Sequence, residues 1–474
     1  MSNSTAKMSR IQLTAMVVGG MVGAGIFSLP RTFANATGPV GAVIAWVIAG
    51  IGMYTLARVF QHLAQRKPDL DAGVFMYAKE AFGDYPGFLS AFGYWIGSCI
   101  GNVSYWVLIK STLGAFFPVF GDGNTLVAIL VASVGIWLFH FLILRGVKQA
   151  AFINTVVTFA KVIPIIVFIV ILAFAYKADM FSLNIQLAAQ EGGIVQQVRA
   201  TMLVTVFVFI GIEGASVYSR YAKKREDVGF ATITGFCAVT ALMVLVSMLP
   251  FAVLPRTDVA GMRQPSMAAV LEQLVGPWGG LFVSIGLVVS VLGAYLAWSL
   301  ICAEVMFAAA KNKDMPVLFA KENANEVPAN ALWITNIIVQ LLVASTYFSR
   351  DAFTLMLNLT SSMALIPYLF VAAYGVILAR RGESYEVRPQ ERNRDLAFAL
   401  VAVIYTVFMI IAGGLSYVLL SAVLYAPGTA LYFWARRERG LPVFQGAVDI
   451  GIFAVIVIAA VAGVVGLATG YIAV

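Results

Sequence analysis

The chain has 474 residues, of which 61% are hydrophobic and 11% charged, and its mean hydropathy is +0.90. Soluble domains run at about 45–50% apolar and about 25% charged, so this composition excludes a soluble enzyme, a nucleic-acid-binding module and a disordered chain. It reads as a polytopic membrane protein, and the formal charge of +8 fits basic cytoplasmic loops rather than a nucleic-acid footprint.

A membrane-spanning helix needs about 20 mostly apolar residues. Runs of that kind lie at 12–30, 40–60, 88–118, 125–144, 151–176, 199–219, 230–252, 277–308, 330–348, 353–379, 395–413, 415–435 and 446–472, which predicts thirteen spans. Lys7 and Arg10 precede the first run. That run is longer than a signal-peptide core and carries Gly23–Gly25 in its middle, so it reads as a retained first helix. Only Gly413-Gly414 separates the eleventh and twelfth runs. With a cytoplasmic N-terminus, 23 of the 31 Lys and Arg fall in inside segments and 6 in outside ones. Clusters such as Lys223-Lys224-Arg225 and Arg436-Arg437 then act as topology signals, and the C-terminus lies outside. Pro68 through Ala72 reads as a cytoplasmic turn, and 177–198 as a periplasmic loop or amphipathic helix. Cys99, Cys237 and Cys302 all sit in apolar runs and read as buried thiols with no disulfide framework. Neither the cysteines nor the two histidines have metal-site spacing, and nothing implies a cofactor.

Two spans are interrupted. The first reads Gly19-Gly20-Met21-Val22-Gly23-Ala24-Gly25-Ile26-Phe27, with Pro30 beyond. The sixth reads Phe207-Val208-Phe209-Ile210-Gly211-Ile212-Glu213-Gly214-Ala215-Ser216. Such glycines also suit close helix packing. Broken segments at matching positions of two halves, one with an intramembrane carboxylate, point instead to a transporter binding site. Free amides at a helix break suit a carboxylate and free carbonyls suit an ammonium; an α-amino acid carries both.

Further motifs follow in order: Gly93-Tyr94-Trp95-Ile96 and Ile100-Gly101-Asn102-Val103-Ser104-Tyr105, then His140-Phe141-Leu142-Ile143-Leu144-Arg145-Gly146-Val147. Gly293-Ala294-Tyr295-Leu296-Ala297-Trp298 and Leu424-Tyr425-Ala426-Pro427-Gly428 complete the set. With the two glycine breaks, they make essentially the whole chain resemble the amino acid–polyamine–organocation superfamily. Within it, the chain is most similar to the basic amino acid/polyamine antiporters of the bacterial arginine:ornithine type, which the thirteenth span also matches. The resemblance implies an all-α, leucine-transporter-like fold, a five-plus-five inverted repeat with helices one and six unwound. The repeats would occupy 12–176 and 199–379, after a cytoplasmic N-terminus at 1–11 and before C-terminal helices at 380–474. It also implies exchange of external arginine for internal ornithine by alternating access in the bacterial inner membrane. Relatives include homodimers.

Residue by residue, the resemblance places Ala24 and Gly25 at the substrate carboxylate, with Gly23 opening the same turn and Met21 offering its carbonyl to the α-ammonium. Asn102 matches a position that hydrogen-bonds the substrate side chain, and a polar group that deep in a span needs a partner. Gly97, Ser98 and Thr360 match contacts to the distal end. Trp298 matches a tryptophan that stacks on substrate, where a guanidinium over the indole gains roughly 0.5–2 kcal/mol. Phe207 and Ile210 complete the set. Phe207 stands where arginine:agmatine relatives have tryptophan; it keeps a π face but lacks the N–H donor. Tyr94, Glu213 and Tyr368 match gates. Lys161 lies mid-span, where sodium-coupled relatives bind their cation, and so implies sodium-independent transport in which it helps hold helix one to helix eight. The other readings are an amino acid/amine exchanger (lysine:cadaverine, histidine:histamine or tyrosine:tyramine) or a proton-coupled permease. A sensor or scaffold lacks a signalling domain here, and an enzyme lacks a nucleophile–base pair.

Overall fold

The computed structural model describes residues 10–70, 74–146, 150–190, 192–213, 225–349 and 351–472. Among them the chain forms eighteen α-helices joined by short 3-10 turns and loops, and no strand. The first half holds α1 (Arg10–Met21), α2 (Leu29–Ala36), α3 (Pro39–Arg66), α4 (Val74–Phe82), α5 (Asp84–Phe116), α6 (Leu126–Leu144) and α7 (Ala150–Phe174), followed by α8 (Ala178–Gln190). Next come α9 (Ile194–Phe209), α10 (Arg225–Met248), α11 (Arg256–Gly261), α12 (Ser266–Val275), α13 (Pro277–Lys311), α14 (Ala329–Ser345) and α15 (Ala352–Arg381). The chain ends in α16 (Glu391–Gly413), α17 (Leu415–Arg437) and α18 (Ala447–Ala468).

Nine of the described helices are long and apolar enough to cross a membrane. A tenth crossing results if Ala160–Phe174 and Ala178–Ala189, bent by 97° at their break, count as one. The three remaining apolar runs fall on α1–α2, α5 and α9. The first is broken at its glycines and α9 stops at 16 residues. α5 is long, but its Gly, Ser, Asn, Tyr and Trp dilute its hydropathy because nearly all of it is buried by protein instead of lipid. The sixth run continues into 214–219, and the basic residues Lys7, Lys148, Arg220, Lys223, Lys224 and Arg350, with Asp71 and Ala72 of the second turn, also lie outside the described residues. The chain is a multi-pass membrane protein: many of its helices are long and apolar, and on α18 only 17% of the apolar stretch is buried inside the protein. Cys237 is a correction to the expected buried thiols. It lies on the exposed face of α10, where a span meets lipid, while Cys99 and Cys302 are buried.

The core gathers around α5, which packs on α15, α13 and α4; α15 in turn packs on α16, and α9 packs on α3. Pro164 and Pro367 sit inside α7 and α15, where each removes a backbone donor. Asp351 caps α15 by accepting from Thr354 N at 3.2 Å, and Gly382 ends it in the left-handed conformation at φ 74°.

Charged networks close the end of the bundle that carries most Lys and Arg. Arg66 donates to Glu391 at 2.7 Å and to the Ser384 carbonyl at 2.7 Å, and lies 3.7 Å over the Tyr385 ring, tying α3 to α16. Lys79 donates to Asp314 at 2.8 Å and lies 3.3 Å from Asp84, which Arg436 also holds at 2.7 Å. Asp314, in the turn after α13, is fully buried, and burial pushes its carboxyl up to about 6 against the pull of Lys79. Because the folded value is above that of an unfolded aspartate, its contribution to stability is full below about pH 4. It is lost as pH rises toward about 6, a change of about 3 kcal/mol. Asp314→Asn is therefore expected to flatten the fall in melting temperature of the detergent-solubilised protein between about pH 4 and about pH 6. An unchanged slope would remove Asp314 as its source.

Candidate functional site

α1 ends at Met21 because the glycines that follow favour no helix. Gly23 is extended (φ −105°, ψ −153°), a 3-10 turn runs over Ala24–Ser28, and Pro30 opens α2. Val22 N and Gly23 N donate to Val18 O and Met21 O at 2.9 and 3.0 Å, and the break leaves the other terminal amides and carbonyls without an intrahelical partner. One of those carbonyls, Gly19 O, accepts from Lys161 Nζ at 2.7 Å, so the buried ammonium of α7 is spent on the end of the first helix. The tie that the structure shows thus runs from α7 to the end of α1.

The second break follows α9. Gly211 takes φ +105°, and its amide donates to Glu213 Oε2 at 3.1 Å. The two breaks touch. A Cβ built on Gly211 would lie 2.8 Å from Gly20 O, and one on Gly25 would lie 2.9 Å from both Phe207 Cδ1 and Val208 Cγ1. The glycines thus serve both suggested purposes, unwinding and close approach.

Between the breaks lies a cavity. Its walls are the first break (Gly20 to Ile26), one stripe of α5, the end of α9, Trp298 of α13, and Thr360 and Ala364 of α15. The α5 stripe is Tyr94, Gly97, Ser98, Gly101, Asn102 and Tyr105, spaced three or four apart on one helix face. Met21, Gly23, Ala24, Gly25, Gly97, Ser98, Asn102, Phe207, Ile210, Trp298 and Thr360 all line it, as does Tyr94. Sequence reasoning passed over Gly20, Ile26, Gly101, Tyr105, Val208 and Ala364 as lining residues. Extending the α5 stripe by one turn from Asn102 would have found Tyr105.

No charged side chain is among the described lining residues. Polarity comes from broken backbone and from two buried oxygens that lack a hydrogen-bond partner, Asn102 Oδ1 and Thr360 Oγ1. Asn102 Nδ2 approaches Cys302 Sγ at 3.9 Å, leaving its carbonyl to the cavity. Ser98 Oγ donates to Tyr94 O at 2.7 Å, so its donor is used within α5. The Trp298 ring lies 6.4 Å from that of Tyr94, tilted by 40°. Unpaired buried acceptors are costly unless a ligand supplies donors. Beside aromatic faces they suit a cationic side chain.

Beside the cavity sits Glu213, 2% exposed. Tyr94 OH donates to its Oε1 at 2.6 Å and Tyr368 OH to its Oε2 at 2.8 Å. Three residues named separately from the sequence form one hydrogen-bonded unit across α5, the break after α9, and α15.

Comparison with known proteins identifies the family. Residues 8–435 match the family model described as amino acid permease. The arginine/ornithine antiporter of Pseudomonas aeruginosa is 53% identical over 99% of this chain and 98% of that protein. The L-lysine transport protein of Corynebacterium glutamicum is 42% identical over 97% of this chain and 94% of its own length. The arginine/agmatine antiporter of Chlamydia abortus is 39% identical over 92% and 91%. With a family model spanning most of its length and relatives this similar from end to end, the chain belongs to the amino acid permease family.

Proposed function

We propose that the protein exchanges external arginine for internal ornithine by alternating access. The observation that carries this reading is the pair of unpartnered oxygens, Asn102 Oδ1 and Thr360 Oγ1, in a cavity walled by two helix breaks and Trp298. The amides of Ala24 and Gly25 take the α-carboxylate, with Gly23 opening the turn. The Met21 carbonyl takes the α-ammonium, and the distal cation reaches the two oxygens past Gly97, Ser98 and Ile210. Trp298 and Phe207 flank it with π faces. Tyr94, Glu213 and Tyr368 gate the cavity. The antiporter named for arginine and ornithine at 53% identity supports the substrate pair. Exchange of two monocations moves no net charge.

The same reading takes the fold as a five-plus-five inverted repeat, headed by the α1–α2 break and the break after α9, with thirteen spans. The N-terminus is cytoplasmic, since most Lys and Arg share one side, and the membrane is the bacterial inner membrane. Lys161 occupies the place of a transported cation and makes the exchange independent of sodium.

A second reading follows from Phe207, which offers no N–H to a guanidinium, and from the relative named for L-lysine transport: lysine shares the site. The experiment is reconstitution into liposomes loaded with ornithine, followed by uptake of labelled arginine. The expected result is uptake that needs internal ornithine, proceeds equally in choline and sodium, and generates no membrane potential. Uptake into empty vesicles driven by a pH gradient would replace exchange with proton symport. Absence of arginine uptake alongside lysine uptake would transfer the site to lysine.

A further inference from the structure

A second chamber lies beyond the cavity along the same helices. Its lining includes Arg31, Ser111, Asp122, Arg263, Gln264 and Asp351. On α5 the cavity lining ends at Tyr105 and the chamber lining takes over at Val107, Leu108 and Ser111, the last about 9 Å further at 1.5 Å per residue. On α15 the step from Thr360 to Phe353 is about 10 Å by the same rise. The first broken span makes a like step from Ile26 to Arg31. Three elements agree, so the chamber stacks on the cavity, on the side away from the basic loops. It is also the roomier space, about 260 Å³ against about 40 Å³.

The floor is a clip between the segment before α12 and the first break. Gln264 Nε2 donates to Ser28 O at 3.4 Å, Ser266 Oγ to Ser28 O at 3.1 Å, and Arg31 N to Ser266 Oγ at 3.1 Å. The walls hold two loose ion pairs. Arg31 lies 4.0 Å from Asp351 and Arg263 lies 3.6 Å from Asp122, both beyond hydrogen-bond contact. Arg31 Nε and Arg263 Nε are buried and have no hydrogen-bond partner. The carboxylates of Asp351 and Asp122 are 50% and 81% exposed. Arg263 also donates to the Gly121 carbonyl, and Asp351 also accepts from Thr354 at the start of α15. Each pair nevertheless keeps bonding capacity toward the open space, the two Nε groups on one side and the exposed carboxylates on the other, with no net charge between them. A simple anion or cation would satisfy one sign and strand the other. A zwitterion satisfies both, and a carboxylate on guanidinium forms the stronger, charge-assisted bond.

We propose that this chamber is a second, outer binding site for zwitterionic α-amino acids. Arg31 and Arg263 take the α-carboxylate, and Asp122 and Asp351 the ammonium. The proposal rests on the transport reading above and adds a stop on the path to the cavity. Such a site holds an incoming molecule next to the cavity, on its outer side, and screens it for an intact amino-acid head.

Titration of the purified full chain with L-arginine, read by calorimetry, tests it. The expected result is two sites per chain of unequal affinity. The Arg31→Gln/Arg263→Gln variant weakens the weaker one at least tenfold and leaves the tighter within twofold. Trp298→Ala does the reverse. Agmatine, which lacks the carboxylate, competes at the tighter site only. A single L-arginine per chain, or a weaker site indifferent to the double variant, would overturn the chamber. Absence of any L-arginine binding to the wild type would overturn the transport reading itself. If the double variant fails to fold, the agmatine competition on the wild type decides: equal competition at both sites counts against the proposal.

Discussion

Glu213→Gln lowers arginine:ornithine exchange in liposomes by about ten- to a hundredfold. The carboxylate accepts from Tyr94 OH, Tyr368 OH and Gly211 N. An amide keeps one oxygen and turns an NH₂ toward a donor, so at least one buried N–H or O–H loses its acceptor. Hydrogen bonds to a charged group contribute about 1.5–3 kcal/mol each, and about 1.4 kcal/mol is a factor of ten. Tyr94→Phe and Tyr368→Phe each remove one bond and leave the others, so each costs less. Made in the Glu213→Gln background, either tyrosine change is expected to cost less than it does alone, because the shared acceptor is already impaired. Additive losses in this double-mutant cycle would show that the three groups act independently.

Gly211→Ala has the other large effect, on folding as well as transport. A φ of +105° is strained for any residue with a Cβ, by about 1–3 kcal/mol, and that Cβ would sit 2.8 Å from the backbone oxygen of Gly20. Expression of folded protein falls, or the melting temperature drops by several degrees, and exchange is lost. Gly20→Ala is the contrasting case. Its added Cβ meets Gly211 O at 3.8 Å, an ordinary contact, within a helix that alanine favours over glycine by about 1 kcal/mol. It is expected to fold as well as the wild type in the same size-exclusion assay. Equal tolerance of alanine at both positions would mean that the two breaks are not in contact.

Among the described residues, the sequence carried nine or ten of the thirteen expected spans because lipid demands long apolar runs. It carried the cavity lining because glycine breaks and helical spacing are local signals. α5 shows where that logic thins: its run at 88–118 reads as one more span, and nothing in it says that protein and not lipid buries nearly all of it. What the sequence hides is partnership across distance. Tyr94 and Tyr368 meet Glu213 from 119 and 155 residues away, and each reads alone as an ordinary aromatic. Arg31, Asp122, Arg263 and Asp351 lie far apart along the chain, and only the fold brings them to one chamber. Cys237 was misplaced because an apolar run shows that a residue is in a span, not whether it faces protein or lipid.

The meeting of Gly20 and Gly211 also constrains how the protein can be repaired. Most damaged contacts have two side chains, so a change at one can be offset by a change at the other. Here one partner is a main-chain oxygen and the other a residue without a side chain. No substitution on the facing strand of backbone can make room, because there is nothing there to shorten. Selection for restored transport from Gly211→Ala is therefore expected to return true revertants to glycine, while Tyr94→Phe and Tyr368→Phe remain open to second-site suppressors in the helices around Glu213.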